Sequence, residues 1–142
     1  TARLFLEAEN VSEDTIKHVV NIIENISYKG GNFEKKFTSV ELDIVQDADR
    51  LDAIGAIGIA RAFNYGGYKN RGLYNPEIAP VSTMTKEQYK NNSAPTINHF
   101  YEKLLLLKDK MNTDRGKQIA QERHQYMETF LAQFYAEWEG IK

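Results

Sequence analysis

Ile44-Val45-Gln46-Asp47-Ala48-Asp49-Arg50-Leu51-Asp52-Ala53-Ile54-Gly55-Ala56-Ile57-Gly58-Ile59-Ala60-Arg61-Ala62-Phe63 is the stretch whose reading decides the fold. It sets carboxylates inside an apolar run too short, and too often interrupted by charge, to span a membrane. A carboxylate in a low-dielectric interior either takes up a proton or finds a cation, so a metal ion or a basic partner is the natural companion of these aspartates. The apolar residues occur almost all round the helical wheel, which predicts one central helix from about Ser39 to Asn64, covered on most sides. Gly55 and Gly58 lower helix propensity by about 1 kcal/mol each, which predicts close approach of a neighbouring helix or ligand as compensation.

Working outward, the chain reads as all-α. Ser12 is a good N-cap for a helix from about Glu13 to Ile26, with Ile16, Val19, Val20, Ile23 and Ile26 on one face. The polar Ser27–Lys36 stretch with Gly30-Gly31 predicts a loop, and Thr38 with Glu41 gives a capping-box signal for the central helix. Residues 65–95, punctuated by Gly66-Gly67, Gly72, Pro76, Pro80 and Pro95, read as a long loop of the functional kind. Thr96 should cap a helix reaching Lys110 with Ile97, Phe100, Leu104 and Leu107 inward. Thr113 should cap the last, whose apolar stripe runs from Ile119 to Trp138.

Composition narrows the function classes. The 142 residues are 42% hydrophobic, enough for one domain with a real core. Twenty acidic against 18 basic residues give a net charge of −2, which argues against capture of nucleic acid through its phosphates. The absence of cysteine excludes a disulfide framework and a thiolate zinc site. No leader or spanning segment is visible in the sequence, so cytoplasmic location and no membrane partner are the default expectations.

Gln46–Phe63, with Ile26-Ser27-Tyr28-Lys29-Gly30-Gly31, Tyr65-Gly66-Gly67, His99-Phe100-Tyr101-Glu102-Lys103-Leu104-Leu105 and Phe130–Trp138, resembles the HD-domain metal-dependent phosphohydrolases, in particular their small bacterial YpgQ/YedJ-like branch. The likeness covers nearly the whole chain. It implies an HD-like helical bundle and hydrolysis of a phosphoester or pyrophosphate bond in a nucleotide or related phosphate ester, with Mn²⁺, Mg²⁺ or a similar divalent ion. Family members hold the ion through a His, an adjacent His-Asp pair and a later Asp. Here His18, His99 and His124 precede Val19, Phe100 and Gln125, so no His-Asp pair exists. Thr1 begins the chain in what looks like the middle of an element, and the resemblance implies that residues 1–142 are the C-terminal two thirds of one HD domain, lacking its N-terminal helices and inactive alone.

Matching the family's A-D-R-L pattern to Ala48-Asp49-Arg50-Leu51 implies Asp49 as the catalytic and metal-binding carboxylate. Residues two apart on a helix sit about 200° round the axis, so Asp47 cannot share a pocket with Asp49, whereas Asp52 can share its face. Asp47 then reads as a partner of Arg50 or as a group supporting the ligand. The plain alternative is that all three aspartates lie on a solvated face. An EF-hand fails, because Leu51 takes a ligand position and Asp52 stands where Gly is needed.

Lys103, Arg61 and His99 are the substrate-binding candidates, each with a structural alternative: a surface lysine, an arginine paired to an acidic residue, and a helix cap. His124 reads as a core or edge histidine, His18 as surface, and Phe130, Phe134, Tyr135 and Trp138 as core or a dimer seam. Lys29 beside Gly30-Gly31 fits no phosphate-loop pattern. A second function class stays open: a non-catalytic helical binding or dimerisation module that kept the fold and lost the metal.

Overall fold

The computed structural model describes residues 1–26, 37–81 and 93–142. Among them every regular element is helical, and none of the helices is long and apolar enough to cross a membrane. The chain divides into two compact units, Thr1–Gln46 and Asp47–Lys142.

The first unit contains α1 (Ala2–Ala8), α2 (Glu13–Asn25) and the beginning of α3 (Val40–Asp52). Ser12 caps α2 by accepting from the Thr15 N–H, and Arg3 ties α1 to α2 through Glu13 at 3.1 Å. Ile16 is buried while Ile23 is half exposed, so the α2 stripe is only partly used. The α3 cap is Ser39 and not Thr38: its hydroxyl accepts from the Leu42 N–H. His18, half-buried at the surface as expected, pairs with Glu41 at 3.3 Å. The predicted all-round cover of this helix does not hold, because Val40 and Ile44 are each more than half exposed.

The second unit holds the end of α3, then α4 (Gly55–Tyr68), α5 (Asn98–Glu102), a 3₁₀ helix (Leu104–Lys110) and α6 (Asp114–Trp138). The single helix predicted over 39–64 is in fact two. Ile54 is extended and Gly55 takes φ +74°, a left-handed conformation that costs an L side chain about 1–2 kcal/mol, and the chain turns there. Gly58 serves the same turn: a Cβ would overlap the Ala53 carbonyl oxygen, so the close approach is the chain against itself. The turn strands carbonyls at the C-terminus of α3, and guanidinium groups satisfy them, Arg61 donating to Asp52 O and Arg123 to Leu51 O. The second helix then runs on to Tyr68, so the connection read as starting at residue 65 starts after it.

The core of this unit joins Ile54 and Ile59 to Ile97, Phe100, Leu104 and Leu107, closed by Ala120, Met127 and Leu131 of α6. The inward residues predicted for the 97–107 segment are therefore right, although Lys103 (φ −145°, ψ −57°) breaks that segment into α5 and the 3₁₀ helix. Thr96 is buried and does not act as the cap. Thr113 caps α6 as expected, accepting from the Gly116 N–H. Phe130, Phe134 and Tyr135 of α6 are partly buried against the core, Phe130 stacking on Phe100 and meeting Phe63 while Phe134 and Tyr135 pack on Tyr74, whereas Trp138 is half exposed. His124 is buried, with Nε2 3.3 Å from Glu128. The Ser27–Lys36 loop and Lys29 lie outside the described residues, as do residues 82–92 of the longer connection.

Candidate functional site

The three aspartates of the opening stretch take three different environments. Asp47 is 3% exposed and structural: one oxygen accepts from the Asn112 N–H and the other from the Thr113 N–H and hydroxyl, all at 2.8 Å. Burial alone would raise its pKa, but those three donors and the Arg50 guanidinium outweigh it and hold the carboxyl below the ordinary range. Arg50 stands 3.4 Å away, the pairing expected from the sequence. Gly116 is required here, since a Cβ would run into Asp47 Oδ2. Asp49, expected near the middle of the most buried helix, is exposed. The helical geometry that separates the two residues is as read, but the inward one is Asp47. Asp52 is also exposed and is paired to Arg61.

Asp49 does not line the cleft between α4 and α5, but its charge acts on Lys103, which does. The stripe Gly58, Arg61, Ala62 and Tyr65 on α4 follows the i, i+3, i+4, i+7 spacing of one helix face and forms one wall. His99 and Lys103, one turn apart at the start and break of α5, form the other, with Arg71 and Thr96 closing the end. The space is about 530 Å³. Gly66 allows Thr96 to lie against the α4 backbone, where a Cβ would overlap the Thr96 hydroxyl. Bonds from Arg71 N to Gly66 O (2.9 Å) and Thr96 N to Gly72 O (2.9 Å) strap this end together.

The cleft is cationic. Burial lowers the Lys103 pKa; the nearby Asp49 charge works against that and Arg61 adds to it, with a net downward shift. His99 is pushed down to about 4, first by burial and then by Lys103 and Arg71, so at neutral pH it is an uncharged imidazole between two cations. Such a set suits a multiply charged anion: Arg and Lys supply charge-assisted donors, and neutral His can donate or accept one hydrogen bond.

The structure places the three sequence candidates Lys103, Arg61 and His99 along one cleft. Arg61 keeps both of its readings, since it lines the cleft and also binds Asp52. Arg71, Asn64, Tyr65 and Thr96 were missed as lining residues; the only signal for them was the Tyr65-Gly66-Gly67 motif at the head of a connection read as functional.

Metal binding can be judged from the donors present. Among the described residues no group of three or more His, Asp and Glu side chains is placed to hold an ion. Asp49 is a single carboxylate whose charged neighbour is a lysine. The described residues therefore fit one ligand of a metal site and not a whole one.

No protein-family model matches the sequence. The chain is 41% identical over 132 residues to YpgQ of Bacillus subtilis, covering 92% of this chain and 57% of YpgQ. A crystal structure from Lactobacillus plantarum superposes with a TM-score of 0.82 at 47% identity, over 95% of this chain and 64% of that one. An HD-superfamily hydrolase from Bacillus thuringiensis gives 0.72 at 49% identity, over 95% and 59%. Crystalline YpgQ in complex with ADP gives 0.74 at 34% identity, over 99% and 64%. The fold is HD-like, and these likenesses support a YpgQ-type, HD-like family. The chain spans 57% to 64% of the length of these relatives.

Proposed function

We propose that this chain carries the phosphate-binding part of an HD-type phosphohydrolase acting on a nucleotide or related phosphate ester, cleaving a phosphoester or pyrophosphate bond. The observation that carries the reading is the meeting of Arg61, Arg71, Lys103 and an uncharged His99 in one cleft beside Asp49. The complex of the related YpgQ with ADP supports a nucleoside diphosphate as the kind of ligand, and a cleft of about 530 Å³ is large enough for one. Lys103 and Arg61 neutralise phosphate charge, and His99 donates a hydrogen bond to a phosphoryl or bridging oxygen. Asp49 contributes one ligand to a divalent ion such as Mn²⁺ or Mg²⁺. The site belongs to a cytoplasmic enzyme, with a second copy as partner through the α6 aromatic end.

The test is titration calorimetry of this chain with ADP, together with hydrolysis of nucleoside di- and triphosphates in the presence of Mn²⁺ or Mg²⁺. Lys103→Ala should weaken ADP binding by roughly 10- to 100-fold, the worth of a charge-assisted contact. A wild-type chain that does not bind ADP, or a Lys103→Ala chain that binds it equally well, would sink the reading and favour the non-catalytic module.

A further inference from the structure

Asp49 and Asp52 lie one turn apart on the exposed face of the last turn of α3, and each carboxylate acts on one cation of the cleft, Asp49 on Lys103 and Asp52 on Arg61. The second is a direct pair. Arg61 Nη1 donates to the Asp52 carboxylate and, at 3.1 Å, to the Asp52 backbone carbonyl. Two acceptors use both hydrogens of that nitrogen. Nε and Nη2, the neighbouring donors that make up the side of the guanidinium fork, form no hydrogen bond among the described residues. The residue that holds Arg61 is itself held: Arg123 donates to Leu51 O next to it, and Asp47, five residues earlier, is fixed by the backbone of Asn112 and Thr113.

A carboxylate beside an anion-binding arginine acts in one of two opposed ways: it competes with the ligand for the guanidinium, or it holds the guanidinium ready. Exposure decides between them. The Arg61 and Asp52 side chains are 58% and 63% exposed, so solvent and salt screen the Asp52 charge as a bound anion feels it. The hydrogen bonds to Nη1 are short-range and keep their effect on orientation. Without them a long, solvent-exposed arginine has many rotamers, and repulsion from Lys103 drives it away from the cleft. A side chain ordered before the ligand arrives spares the ordering cost on binding. Competition is further reduced because Asp52 occupies Nη1, whereas the Nε and Nη2 side still offers two parallel donors to one oxyanion.

We infer that Asp52 is a positioning residue for Arg61: it ties Nη1 to the end of α3 and leaves the Nε and Nη2 donors as a preformed fork for one tetrahedral oxyanion. This rests on the proposed phosphate site and extends it by naming the residue that orders one of its cations.

The probe is inorganic pyrophosphate, titrated by calorimetry into the chain and into Arg61→Ala, Asp52→Ala, Asp52→Asn and the variant that combines Arg61→Ala with Asp52→Ala. Arg61→Ala should weaken binding roughly 10- to 100-fold, the worth of its charge-assisted donors. Asp52→Ala should weaken it about 3- to 10-fold, the cost of ordering one long side chain on binding. Asp52→Asn keeps an oxygen acceptor for Nη1 without the charge, and should bind at least about half as tightly as wild type. In the Arg61→Ala background, Asp52→Ala should change affinity by less than about twofold, because Asp52 acts only through the guanidinium; a general structural effect would persist there. The inference is overturned if Asp52→Ala binds as tightly as wild type or more so, which makes the carboxylate a bystander or a competitor. It is overturned equally if Asp52→Asn is as weak as Asp52→Ala, or if the loss is unchanged in the Arg61→Ala background. In each of these cases the phosphate site stands without it. A wild type that does not bind pyrophosphate, or an Arg61→Ala chain that binds it as well as wild type, removes Arg61 from the phosphate site and the inference with it.

Discussion

Asp47→Ala should be among the most damaging single changes in the second unit. The substitution removes three hydrogen bonds of 2.8 Å from a carboxylate that is 3% exposed. Two of the donors are backbone N–H groups, of Asn112 and Thr113, which cannot turn away; the Thr113 hydroxyl can rotate and already accepts from Gly116 at 3.0 Å. Leaving each backbone donor buried and unsatisfied costs about 1–3 kcal/mol. Arg50, 12% exposed, loses its carboxylate as well but keeps the Lys110 carbonyl. The sum is roughly 3–5 kcal/mol, which for a chain of this size lowers Tm by about 10 °C or more. Asp47→Asn keeps one acceptor and should lose about 2–3 kcal/mol, because its NH₂ then faces a donor. Urea unfolding followed by circular dichroism at 222 nm measures both. A change below about 1 kcal/mol for Asp47→Ala would mean that the α3 to α6 junction is not held by this carboxylate.

Asp49→Asn changes an exposed residue and should leave stability within about 0.5 kcal/mol, yet lower bound Mn²⁺ in a preparation whose wild type retains the ion; unchanged metal content with intact folding would remove Asp49 as a ligand. His99 sets a pH dependence. Its folded pKa of about 4 lies below its ordinary 6.5, so between those values the unfolded chain binds the extra proton. The contribution is fully present above 6.5 and is lost as pH falls toward 4. Stability should therefore drop by about 2–3 kcal/mol between pH 7 and pH 4.5 on account of this one group, and a His99→Gln variant with the same pH slope as wild type would refute the assignment. Gly55→Ala forces an L side chain into φ +74° and against Arg123, and should cost about 1–3 kcal/mol in thermal or urea unfolding; a neutral outcome would show that the turn re-forms without a left-handed residue.

What the sequence determined by itself was the local structure and its chemistry. The helical class, the caps at Ser12 and Thr113, the inward Ile97, Phe100, Leu104 and Leu107, and the packing of Phe130 and Phe134 against the core all follow from periodicity and from side-chain hydrogen bonding within a few residues. So did the candidacy of Lys103, Arg61 and His99, through a motif resemblance. Only the tertiary structure decided which aspartate turns inward. Helical geometry places Asp47 and Asp49 on opposite sides, but the choice belongs to the donors of Asn112 and Thr113, some 65 residues away along the chain. The break at Gly55 was equally hidden, because glycine in an apolar run reads as a weak helix residue until a left-handed φ and the waiting guanidinium groups of Arg61 and Arg123 show it to be a turn. Arg71 and Thr96 joined the cleft in the same way: spacing along a chain says which residues share a helix face, whereas a cleft is made by faces of different segments, and their meeting is fixed by packing that no local pattern records.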